Sequence, residues 1–77
     1  MENRVFVIKD MVNQQDADKI LNALLEVWGI GRAEVNLNNS NAVFSYDERM
    51  ASYHDFEQAI IDKGYEILQT EWSSTED

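Results

Sequence analysis

The residues with the most chemistry to offer lie in one short stretch, Met11-Val12-Asn13-Gln14-Gln15-Asp16. It follows an apolar run, Val5-Phe6-Val7-Ile8, and precedes a helical pattern that starts near Ala17. A strand that turns tightly into a helix leaves several backbone N–H groups free at the turn, where a ligand can sit. The same stretch also reads as a cap. Asn13 suits a helix N-cap, its side-chain oxygen accepting from an N–H two or three residues on. Asp16 falls at the third helical position and can reach back, as in a capping box, with its charge at the positive end of the helix dipole.

Other reactive groups are sparse. Asp10, Asp16 and Asp18 bring three carboxylates near one loop. A Ca²⁺ site wants about six to eight oxygens from a shaped loop, and this spacing matches none. A solvated acidic loop is the expectation. His54 is the only histidine; it stands at the start of a second helix and is read as a surface or capping side chain. There is no cysteine, so no disulfide and no thiolate chemistry. No nucleophile has a neighbouring base, and an enzyme is not expected.

The elements that position these groups follow from periodicity. Residues 4–9 read as a strand, with Phe6 and Ile8 on one face and Val5 and Val7 on the other. Ala17, Ile20, Leu21, Leu24 and Trp28 form a helical stripe, and Gly29 is a natural stop. Residues 33–47 alternate as a β-hairpin around the turn cluster Asn38-Asn39-Ser40-Asn41. Ser52 or Asp55 can cap a second helix running to Lys63, with Phe56, Ala59 and Ile60 as its buried stripe. Gly64 stops it, and Tyr65 with Ile67 begins a fourth strand. The order β-α-β-β-α-β implies an α+β domain of the ferredoxin-like kind, a four-stranded antiparallel sheet with both helices on one face. Residues 1–70 are expected to form the domain, and residues 71–77 an acidic, loose tail.

Bulk properties narrow the field. A chain of 77 residues supports one small core. Its net charge of −9, with only six scattered Lys and Arg, repels phosphate backbones, so nucleic acid is not an expected partner. The charge serves solubility, or it attracts a basic partner surface. No run approaches the roughly 18 apolar residues of a membrane span, and no basic leader precedes an apolar stretch. The expected location is cytoplasmic, away from membranes.

In its order of signals the chain resembles the heavy-metal-associated domains, the module of copper chaperones and of the N-terminal regions of metal-transporting P-type ATPases. The resemblance covers roughly residues 4–68. It is carried by Met11, by Ile20 with Leu24, by Gly29-Ile30, by Val35-Asn36-Leu37, by Ala42 through Asp47, by Ala59-Ile60 and by Gly64-Tyr65. The family's metal motif is Met-x-Cys-x-x-Cys. Here Met11 is kept, while Asn13 and Asp16 stand where the two cysteines would be. Soft ions such as copper(I) are held by thiolates, so the resemblance does not carry metal transfer onto this chain, and no metal or cofactor is expected. It implies that Met11 packs beneath the loop and that the loop lies beside the Asn38–Asn41 turn and Lys63-Gly64-Tyr65. The capping chemistry of Asn13 and Asp16 makes a structural cap the expectation at the former ligand positions.

The topology rejects two other uses of this fold. An acylphosphatase-like phosphate cradle needs an Arg that the first loop lacks. An RNA-binding sheet needs aromatic and basic residues where Val5, Val7, Val43 and Ser45 stand. Val5, Val7, Val43 and Leu68 would instead form an apolar patch on the open sheet face. Contact with a second copy or a protein partner, cover by Trp72 and the tail, and plain exposure are all open for that patch. The leading expectation is a non-catalytic domain without the thiolate site, working by protein contact. The alternative is a heavy-metal-binding protein or metallochaperone using oxygen and nitrogen ligands.

Overall fold

A computed structural model describes residues 2–72. The elements are β1 (Glu2–Lys9), α1 (Gln14–Leu25), β2 (Ile30–Asn36), β3 (Asn41–Tyr46), α2 (Tyr53–Asp62) and β4 (Glu66–Trp72). The strands form one antiparallel sheet in the order β2-β3-β1-β4. This is the ferredoxin-like arrangement that the alternation of patterns implies. β1 and β3 are central, with Val5 opposite Val43 and Phe6 opposite Ala42.

Both helices lay their apolar faces on one side of the sheet. Among the described residues, Phe6, Ile8, Ile20, Leu24, Phe44, Phe56 and Ile60 are the largest fully buried side chains. Phe44 is the hub: its ring lies 4.9 Å from Phe6, edge to face, and 4.7 Å from Phe56. Such ring pairs add to what area burial alone supplies.

The structure departs from the sequence reading at the end of α1. Trp28, expected on the buried stripe, is 79% exposed, and Ala23 is buried in its stead. The helix closes earlier than the stripe suggested, at Leu25, with Glu26 as C-cap. The chain then turns through Gly29 at φ +97°, a conformation open to glycine but costly for other residues. Trp28 therefore lies beyond the helical register and swings outward.

Two further differences lie in the strands. β4 shifts register between Val7 and Ile8, leaving Leu68 at the irregularity. It also continues to Trp72, with Glu71 opposite Val5 and Trp72 opposite Arg4, two residues into the stretch expected to be tail. The rest of that stretch, residues 73–77, lies outside the described residues. In the β2–β3 turn the left-handed residue is Ser40, at φ 53°, rather than an asparagine; Asn36 Oδ1 holds the turn from below, accepting from the N–H of Asn38 and of Asn39.

Candidate functional site

β1 ends at Lys9, and Asp10 takes a left-handed conformation, φ 64°, that turns the chain toward α1. Asp is among the few side chains that tolerate this. Met11 then drops into the core, essentially inaccessible, while Val12 stands out, 75% exposed. Asn13 is the N-cap: its backbone is extended, and its Oδ1 accepts from the Asp16 N–H at 2.8 Å.

Asp16 is the centre of the loop. Its Oδ2 accepts from the Val12 N–H at 3.1 Å, one residue earlier than a capping box would place that bond. Its Oδ1 accepts from the Tyr65 hydroxyl at 2.5 Å, a contact that joins the start of α1 to the α2–β4 connection. The Tyr65 hydroxyl, followed by the Val12 N–H, holds the Asp16 carboxyl below its ordinary range. Reciprocally, the hydrogen bond to Asp16, with desolvation and the nearby charge behind it, pushes the Tyr65 hydroxyl up to about 12.

Other residues of the expected site sort cleanly. Ser40 belongs to the loop end, because its carbonyl accepts from the Ile8 N–H at 2.8 Å. Asp18 turns along the helix and accepts from Gln14 Nε2 at 2.9 Å. His54 is exposed at the start of α2, with Nδ1 3.3 Å from Glu57 Oε1 and its ring stacked on Tyr53. It takes no part in the loop. Sequence reasoning placed Tyr65 near the loop but missed its bond to Asp16; a tyrosine directly after Gly64 was the available signal.

On the open face of the sheet Val5, Val7 and Val43 are half-buried, and Leu68 is 58% exposed. The β4 residues directly opposite Val7 and Val5 are Gln69 and Glu71, so polar side chains border the valines on that side. The apolar patch is narrower than even alternation along β4 would make it.

A family model, the heavy-metal-associated domain, matches residues 5–66. The copper chaperone CopZ of Staphylococcus haemolyticus is 30% identical over 67 residues, covering 87% of this chain and 98% of that protein. CopZ of Staphylococcus epidermidis is 22% identical over the same shares. Among solved structures, a copper binding domain from a P-type ATPase superposes with a TM-score of 0.84 at 27% identity, covering 94% of this chain and 100% of that one. Oxidized MerP from Ralstonia metallidurans superposes with a TM-score of 0.82 at 20% identity, covering 88% and 97%, a likeness of fold.

Proposed function

The chain belongs to the heavy-metal-associated domain family, and from that premise we propose that it is a non-catalytic member in which the metal loop has become a hydrogen-bonded clasp. Its work is protein contact within a metal-handling system. The relation to copper chaperones supports the setting. A cytoplasmic place of action belongs to the same proposal; among the described residues no helix is long and apolar enough to cross a membrane.

The observation that carries this reading is the state of the two positions where the family motif has cysteine. Both carboxylate oxygens of Asp16 accept hydrogen bonds from the protein, and Asn13 Oδ1 accepts from the Asp16 N–H. A soft cation prefers thiolates. Here it would meet a carboxamide, a carboxylate already committed to Tyr65 and Val12, and a thioether buried in the core. These donors do not fit copper(I). The contact surface that supports partner docking is the exposed Val12 beside the Asp16 carboxylate, which accepts its N–H, with the Asp18 carboxylate further along the helix. Surface charge of one sign speeds and selects encounters with a partner of the opposite sign.

A titration of the protein with copper(I), and separately with zinc(II), followed by amide NMR shifts, tests the reading. The expected result is no saturable shift at residues 10–18 and 63–65. Saturable shifts confined to those residues would replace the reading with a metallochaperone that uses oxygen and nitrogen ligands.

A further inference from the structure

Among the described residues the largest exposed apolar side chains do not cluster at the loop. Trp28 is 79% exposed, Met50 56% and Leu25 49%. All three line one groove, together with Val27, Gly29 and Ile30, between the end of α1 and the segment after β3. This groove sits at the C-terminal end of α1, about 18 Å of helix away from the Asn13–Asp16 clasp. Folding alone does not require it: Trp28 contributes nothing to the core, and its exposure costs apolar area in water.

The groove is built, not incidental. Gly29 adopts φ +97°, and a Cβ there would stand 3.0 Å from Met50 Cβ and 3.3 Å from Ala51 Cβ. Only a glycine lets the two walls approach so closely. The Gly29 carbonyl accepts from the Asp47 N–H at 2.9 Å, and the Met50 and Ala51 N–H groups both bond the Asp47 carbonyl. The backbone beneath Trp28 and Met50 is therefore pinned before anything docks.

Its charge selects the occupant. Among the described residues, the charged ones lining it are Glu26 and Asp47, and no lysine or arginine lines it. Glu48 follows directly; the cations beside the rim are Arg49, held on Asp47 at 3.0 Å, and Lys63, 3.9 Å from Glu26, so the carboxylates of Glu26, Asp47 and Glu48 still outnumber them. The molecule as a whole carries −9. A second copy would bring another −9 to the same acidic rim, and an anionic lipid surface would be repelled in the same way. A cationic protein segment meets no such penalty.

We infer that the groove seats a large apolar side chain of a basic protein segment, one in which Lys or Arg flanks the apolar residue. The groove is then a second contact surface, at the end of the domain away from the clasp, and it does not depend on whether the clasp binds metal. Apolar anchors in preformed pockets with charged rims are where binding energy concentrates.

The test uses the intact chain and a defined probe, a synthetic helical peptide of leucine and lysine. A leucine–glutamate peptide of the same apolar spacing is the control. Amide NMR should show saturable shifts centred on residues 25–30 and 47–50 with the lysine peptide and none with the control. Trp28→Ser and Met50→Gln, both at exposed side chains, should each weaken binding at least tenfold while circular dichroism stays unchanged. Four results would overturn the inference: no saturable binding, equal binding of the two peptides, shifts centred on residues 10–18, or undiminished binding in both variants. Sedimentation equilibrium and flotation with phosphatidylglycerol vesicles cover other occupants. Self-association or vesicle binding abolished by Trp28→Ser would assign the groove to a second copy or to lipid instead.

Discussion

The Tyr65 hydroxyl donates to Asp16 Oδ1 at 2.5 Å across 49 residues of sequence, tying the start of α1 to the α2–β4 connection. The same carboxylate accepts the Val12 N–H. One side chain thus closes a loop that, in the family motif, would end on a cysteine. The consequences can be measured.

The clasp carries a pH signature at both ends of the scale. The Asp16 carboxyl is held below its ordinary 3.8 in the folded state. Its contribution to stability is therefore full above the unfolded value and is lost as pH falls from there through the folded value. Tyr65 titrates from the other side. Its hydroxyl is raised from 10.0 to about 12, so its contribution is full below pH 10.0 and is lost as pH climbs toward 12. Asp16→Asn removes the charge beside Tyr65, though not its desolvation, and should therefore shrink the alkaline loss and flatten part of the acid limb. Asp47, held low by Arg49, keeps its own share of that limb. Urea unfolding of both proteins across pH measures the difference. Parallel profiles from pH 10 to 12 would contradict the pairing.

Asn13 is a cap whose loss leaves the Asp16 N–H at the helix start without its side-chain acceptor. Asn13→Ala should cost about 0.5–2 kcal/mol, and Asn13→Gly only a few tenths. Chemical denaturation of the two variants measures this, and equal stability of all three proteins would count against the cap.

Gly29 and Gly64 both sit at positive φ, near +97° and +94°, yet their surroundings differ. A methyl at Gly64 meets nothing within 4 Å among the described residues, so Gly64→Ala should cost about 1–2 kcal/mol from backbone conformation. A methyl at Gly29 meets Met50 and Ala51 at 3.0 and 3.3 Å, so Gly29→Ala should cost more. Paired thermal melts give the ranking; the reverse order would refute the close approach.

Trp28 distinguishes the two readings of α1. A tryptophan on the buried stripe would cost about 3–5 kcal/mol when truncated to alanine. At 79% exposure Trp28→Ala should change stability by no more than about 0.5 kcal/mol. Phe44→Ala, at the meeting of Phe6, Tyr46 and Phe56, should cost the full core amount, enough to unfold much of a domain this small. Urea midpoints of the two variants measured side by side decide it.

Much of this architecture was legible in the chain, because the forces that specify it act over short distances. Alternation in Ala42-Val43-Phe44-Ser45-Tyr46 marks one strand face for burial whatever lies above it. Ile20 and Leu24 share a helix face by geometry alone. Asn13, Gly29 and Gly64 punctuate through their own backbone preferences. Order of elements and handedness of crossover then leave few ways to pack them.

What tertiary structure alone decided lies where distant segments meet or where a turn resets the register. Helical spacing carried Trp28 onto the core stripe; the early close of α1 and the turn at Gly29 put it in water. Even alternation aligned Leu68 with Val5 and Val7; the register shift in β4 set Gln69 and Glu71 opposite the valines. Nothing local links Asp16 to Tyr65, because their contact depends on both helices lying against one sheet. Periodicity counts residues along the chain, whereas these contacts depend on where separate elements end in space. The sequence by itself determined the scaffold and the absence of thiols. The packed chain determined what occupies the Asp16 carboxylate, and which apolar side chains were left facing outward.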